Sequence, residues 1–133
     1  MIEGSSISIG GCSGLPQIHG AQMRIAVIED EYLIADDLIT EIRRRGHEPV
    51  GPFAELGHAL NAASRAAFDA ALLDIDLQGQ SSFGIADILL SKNIPFLIYT
   101  GYSREVIPVR YIPRVIEKPI LIADVVDRLS GTR

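Results

Sequence analysis

At 133 residues the chain has the length of one domain, and a single cysteine, Cys12, excludes an internal disulfide and a thiolate metal cluster. A formal net charge of −5 speaks against a nucleic-acid partner, whose phosphates require clustered Lys and Arg. No apolar stretch approaches the ~20 residues of a membrane span, and the N-terminus lacks the basic-then-apolar layout of a signal peptide, so no membrane partner is expected and the chain reads as cytoplasmic.

Residues 1–22 are dominated by Ser5, Ser6, Ser8, Gly10, Gly11, Ser13 and Gly14. Such a segment buries too little surface to offset its ordering entropy, and a flexible N-terminal extension is expected, with Met23 opening a folded domain over 23–133. Met23 to Ile28 reads as a first strand ending in Glu29-Asp30-Glu31. A helix follows, with Ile34, Ala35, Leu38 and Ile42 at helical spacing, Arg43-Arg44-Arg45 as cations at its C-terminus, and Gly46 as its stop. Glu48 to Gly51 is a weak second strand whose Pro and Gly suit an edge. Leu56 to Ala66 is Ala-rich and helical.

The apolar run Ala70-Ala71-Leu72-Leu73, stopped by Asp74, suits a third strand over about 69–74, buried on both faces. Ser82 is placed to cap a helix carrying Ile85, Ile88 and Leu89 inward. Ile94 to Thr100 is a fourth strand. Tyr102 to Tyr111, with Pro108, is poorly patterned and predicts a short or irregular helix. Pro113 to Glu117 is a short fifth strand before Lys118-Pro119, and a last helix runs to about Ser130 with Ile122, Val125, Val126 and Leu129 inward. His19, His47 and His58 lack ligand spacing and read as ordinary surface residues.

Strand and helix alternating in this way imply a doubly wound parallel sheet with right-handed crossovers, which sets Glu29-Asp30, Asp74, Thr100 and Lys118 on one C-terminal edge. Each has an ordinary alternative. An Asp ending a strand favours a turn, first-turn acids suit a helix N-terminus, Thr is a β-former and Lys before Pro is a solvated charge. Together they make a different case. Crowded carboxylates either raise a pKa or bind a cation, and oxygen-only donors point to Mg²⁺. Adding a fixed Lys charge and a Thr hydroxyl gives a site suited to phosphoryl transfer, in which a carboxylate can serve as nucleophile.

The pieces Val27-Ile28-Glu29-Asp30-Glu31, Leu72-Leu73-Asp74-Ile75-Asp76-Leu77, Thr100-Gly101 and Glu117-Lys118-Pro119 resemble, in order, the receiver domain of two-component response regulators. The resemblance implies a flavodoxin-like (βα)5 fold with sheet order 2-1-3-4-5. It implies that Asp74 accepts a phosphoryl group from a phosphohistidine, with Asp30, Asp74 and the Asp76 carbonyl binding Mg²⁺ and Glu29 acting through water. Thr100 and Lys118 would contact the phosphoryl oxygens, and the Lys118–Pro119 bond would be cis. A sensor histidine kinase or histidine phosphotransfer protein is implied upstream, an unidentified protein partner downstream, and a monomer or weak homodimer.

Many receivers carry an aromatic three residues before the Lys, where this chain has Val115. The run Phe96 to Tyr102, together with Ser81-Ser82-Phe83, instead resembles the FAT GUY subgroup of single-domain receivers, and Gln78 stands where many receivers have Pro. With Arg133 a few residues past the last helix, a free-standing receiver is expected, with slow autodephosphorylation, acting through a partner or as a phosphate sink or shuttle. The alternatives are an interaction module that no longer takes a phosphoryl group and a haloacid-dehalogenase-like phosphatase built on Asp74-Ile75-Asp76.

Overall fold

Short apolar runs become the buried strands of a parallel sheet in the computed structural model, which describes residues 22–100, 107–117 and 122–130. The strands and helices run β1 Arg24–Ile28, α1 Tyr32–Arg44, β2 Glu48–Phe53, α2 Leu56–Ser64, β3 Ala70–Leu73, β4 Asp76–Leu77, β5 Gln80–Ser81, α3 Phe83–Ser91, β6 Phe96–Thr100, a 3-10 helix Val109–Arg114, β7 Val115–Glu117 and α4 Ile122–Ser130. The main sheet has five strands in the order β2-β1-β3-β6-β7, all paired in parallel. Once β4 and β5 are set aside, this is the doubly wound flavodoxin-like order 2-1-3-4-5 that the receiver resemblance implies.

Alternation along the central strands divides the interior into two layers. Ala26, Ile28, Ala71 and Leu73 pack with Ala59, Ala62 and Ala63 of α2 and with Ile85 and Leu89 of α3. Ile25, Val27, Ala70 and Leu72 pack with Ala35, Leu38 and Ile42 of α1 and with Val125, Val126 and Leu129 of α4. Both faces of β1 and β3 are therefore sealed, and each fully buried aliphatic side chain contributes about 1.5–3 kcal/mol. Arg45, just past α1, bonds Glu41 on its own helix and Asp127 on α4, tying that layer together at the surface.

The edge position of β2 follows from its composition. Pro49 and Pro52 offer no N–H to a second neighbour. Gly51 has φ +106°, and a Cβ there would lie 2.9 Å from the Phe53 nitrogen and 3.0 Å from the Val27 oxygen, so only glycine fits this close approach to β1.

Several expectations shift. The irregular helix expected over Tyr102–Tyr111 is a 3-10 helix over Val109–Arg114, and residues 101–106 lie outside the described residues. Pro113 is inside that helix rather than opening the fifth strand, which begins at Val115. His47 is not an ordinary surface residue: it is half-buried, and its Nδ1 accepts the Met23 N–H at 3.0 Å, fixing the start of β1. The antiparallel β4–β5 hairpin was not anticipated. Residues 1–21 and the Lys118–Pro119 bond lie outside the described residues, and none of the described helices is long and apolar enough to cross a membrane.

Candidate functional site

Parallel pairing of β1 with β3, Ile28 opposite Leu73, brings the two strand ends to the same level. The residues that follow them, Glu29, Asp30 and Asp74, converge there. One carboxylate oxygen from each lies within 4.8 Å of the others. Glu29 is 3% exposed, whereas Asp30 and Asp74 are half-buried. Three like charges at this spacing repel, and an oxygen-only donor set of this size suits a hard divalent cation such as Mg²⁺. The residues present fit that ion.

Main-chain amides orient the trio. Glu29 Oε2 accepts the Glu31 N–H at 3.0 Å, and the Glu29 N–H donates to the Phe53 carbonyl at 3.1 Å. Asp74 is held by its own N–H, which donates to Ile28 O at 2.9 Å, and through Oδ1, which accepts the Ile75 N–H at 2.8 Å. Asp30 Oδ2 accepts the Gln78 N–H at 2.8 Å from the tip of the β4–β5 hairpin. Gln78 and Gly79 both have positive φ, 54° and 84°, giving a two-residue turn of the I′ kind that lets this amide reach Asp30. Burial raises the Tyr99 hydroxyl above its ordinary pKa, and the Glu29 charge adds to the effect.

Asp76 opens β4, and its carboxylate is not one of the converging three; its expected contribution was a main-chain carbonyl. Thr100 ends β6 opposite Glu117 of β7, so the strand ends that precede Gly101 and Lys118 are level with each other. The Thr100 side chain, Lys118 and Tyr102 lie outside what is described.

Sequence reasoning missed Gln78 and Ser82 at the site and Tyr111 on the 3-10 helix. Gln78 contributes through its amide rather than its side chain, and only the following Gly hinted at the turn. Ser82 was read as a helix cap, but its hydroxyl donates to the Asp74 carbonyl at 2.5 Å and caps nothing. Tyr111, fully buried, stacks on Phe83 at 5.1 Å between ring centroids, and its hydroxyl donates to Asp87 and lies 3.2 Å from the Phe83 carbonyl. Arg110 bonds Asp87 at 3.2 Å and lies 4.5 Å over the Tyr111 ring, so the 3-10 helix is docked on α3. The hydrogen bond from Tyr111, then that from Arg110, holds the Asp87 carboxyl below the ordinary carboxylate value.

No protein-family model matches the chain. The solution structure of SdrG from Sphingomonas melonis Fr1 is similar, with 32% identity and a TM-score of 0.70, over 81% of this chain and 92% of SdrG. The response regulator PhyR from Brucella abortus shares 29% identity at a TM-score of 0.69, over 83% of this chain and 47% of PhyR. By sequence, the transcriptional activator protein PfeR of Pseudomonas aeruginosa is 38% identical over 83 residues, 62% of this chain but 27% of PfeR. The transcriptional regulatory protein PdtaR of Mycobacterium tuberculosis is 29% identical over 83 residues, and the match spans 40% of PdtaR.

Proposed function

The chain belongs to the response regulator receiver domains of two-component signalling, and from that premise we propose that Asp74 accepts a phosphoryl group from a phosphohistidine on a sensor kinase or phosphotransfer protein. The observation that carries this reading is the convergence of Glu29, Asp30 and Asp74 within 4.8 Å at the edge of the sheet. Asp30 and Asp74, with the Asp76 carbonyl, would hold Mg²⁺, and Glu29 would act through water. When bound, Mg²⁺ offsets negative charge on the carboxylates and on the phosphoryl oxygens.

The chain's own residues do the positioning. The Ile75 N–H fixes Asp74 Oδ1 and so orients the carboxylate toward the donor. A bond forms between a carboxylate oxygen of Asp74 and phosphorus as the donor's P–N bond breaks, and the imidazole leaves. Thr100 and Lys118 contact the phosphoryl oxygens. Glu29, almost fully buried, is oriented next to the site by the Glu31 amide. Residues 23–133 form the receiver, residues 1–22 lie outside it, and output passes through a partner protein or onward as phosphate in the cytoplasm.

The test is labelling by a small phosphodonor with Mg²⁺ and with chelator. Label that requires Mg²⁺ and stays stoichiometric supports the reading. A wild-type protein that binds Mg²⁺ yet takes no label would make the chain an interaction module, and repeated turnover of a phosphomonoester would favour a phosphatase.

A further inference from the structure

Apart from the tyrosines, only two polar or charged side chains are buried among the described residues, Glu29 and Ser82. Glu29 belongs to the carboxylate trio. Ser82, 2% exposed, has a different partner from the one its place in the sequence suggests. Serine at the start of a helix ordinarily caps it by accepting an amide N–H. Here the hydroxyl makes no cap to α3 and donates to the Asp74 carbonyl at 2.5 Å, while the Ser82 N–H donates to the Ile75 carbonyl at 2.8 Å. One residue thus grips two consecutive carbonyls immediately after β3.

The six residues between Ile75 and Ser82 complete the device. They fold back as the β4–β5 hairpin, pairing Asp76 with Ser81 and Leu77 with Gln80. Leu77 is fully buried in the layer that holds Ile75, Leu73 and Ile85, which anchors the hairpin to the core. Its tip amide, from Gln78, holds Asp30, and its base, through Ser82, holds Asp74. The hairpin therefore ties down two of the three acidic residues, Asp30 through its carboxylate and Asp74 through its main-chain carbonyl.

We infer that Ser82 is a positioning residue for Asp74 and closes the base of a hairpin that sets Asp30 and Asp74 in register. The inference rests on the reading of Asp74 as the phosphoryl acceptor. The Asp74 N–H is fixed by the Ile28 carbonyl and its Oδ1 by the Ile75 N–H, so the Asp74 carbonyl is where the peptide plane joining the two residues is held. Without the Ser82 hydroxyl that plane turns more freely, and the carboxylate turns with it. Ser82 touches neither the carboxylate oxygens nor the donor, so its loss changes how often Asp74 is aligned, for phosphoryl transfer and for Mg²⁺, rather than how tightly the donor binds.

The experiment measures phosphorylation of the full chain by acetyl phosphate in wild type, Ser82→Ala and Ser82→Thr, across donor and Mg²⁺ concentrations, with circular dichroism as the check on folding. Ser82→Ala is expected to fold and to lose about tenfold in rate at saturating donor and Mg²⁺, since small misplacements of a reacting group cost up to ~10²-fold. The half-saturating donor concentration stays the same, that of Mg²⁺ rises because Asp74 is one of its proposed ligands, and Ser82→Thr restores both the rate and the Mg²⁺ dependence. A purely architectural serine would lower the folded fraction or the melting temperature without this split. Folded Ser82→Ala labelling at the wild-type rate, or folded Ser82→Thr as slow as Ser82→Ala, overturns the positioning role. Wild type that takes no label removes the premise and the inference together, and that control separates the two failures.

Discussion

Tyr111 offers the sharpest test of how the 3-10 helix is held. Its ring is fully buried and stacked on Phe83, whereas its hydroxyl reaches the Phe83 carbonyl at 3.2 Å and the water-exposed Asp87. Tyr111→Phe keeps the ring and the stack and removes one donor, the hydroxyl that bonds Asp87 and approaches the Phe83 carbonyl, a small loss beside that of the ring. Tyr111→Ala removes the ring as well, and emptying a buried aromatic site costs about 3–5 kcal/mol. At about 4 °C per kcal/mol for a domain of this size, Phe lowers the melting temperature slightly and Ala by well over ten degrees. Urea unfolding followed by far-UV circular dichroism reads both, since the chain has no tryptophan. The denaturant slope should stay constant across the three proteins. Ala within about 1 kcal/mol of wild type would refute the docking of Val109–Arg114 on α3, and a Phe loss as large as the Ala loss would place the energy in the hydroxyl instead of the ring.

The same residue governs pH dependence at both ends. The Asp87 carboxyl is held below its ordinary 3.8, so its stabilisation is present above that value and is lost as pH falls through the lower folded value. Burial, then the bond to Asp87, raises the Tyr111 hydroxyl above 10, so that contribution is full below pH 10 and is lost as pH rises past the folded value. Tyr111→Phe should flatten both limbs of a plot of unfolding free energy against pH; unchanged limbs would contradict the assignment. At the hairpin tip, Gln78→Gly keeps both the amide and the positive φ, so Mg²⁺ affinity by calorimetry should match wild type, with stability equal or slightly higher. Gln78→Pro removes the N–H and forbids φ near 54°, so the fold weakens and Mg²⁺ binding falls. Equal Mg²⁺ affinity in folded Gln78→Pro would show that this amide does not orient Asp30. Leu77→Ala should cost about 2–5 kcal/mol by emptying a fully buried site, measured by the same urea titration; a loss under about 1 kcal/mol would mean that Leu77 does not anchor the hairpin.

What the sequence disclosed, and what it withheld, follows from length and period. Ala70 to Leu73 is a short, wholly apolar run ended by a charge, and no other element satisfies that pattern as well as a central parallel strand. Pro49 and Gly51 marked the edge, because a missing donor and a missing side chain are visible without any partner. The carboxylate trio was legible because parallel strands must bring their C-terminal ends to one side. The β4–β5 hairpin escaped because strands of two residues have no period to detect, leaving only the Gln78-Gly79 pair as a sign. Tyr111 escaped because a 3-10 helix lacks the 3.6-residue repeat that reveals a buried face, and Pro113 obscured what pattern there was. Ser82 was placed at the right position for the wrong bond. Capping propensity describes a helix in isolation, and here the Asp74 carbonyl was the acceptor within reach.

Everything proposed for the site turns on Asp74 as the phosphoryl acceptor. Intact-mass measurement of wild type and Asp74→Asn after incubation with acetyl phosphate and Mg²⁺ tests it directly. Wild type is expected to gain the mass of one phosphoryl group, the gain to disappear with chelator, and Asp74→Asn, folded by circular dichroism, to gain none. Equal mass gain in Asp74→Asn would contradict the assignment of Asp74 as the acceptor.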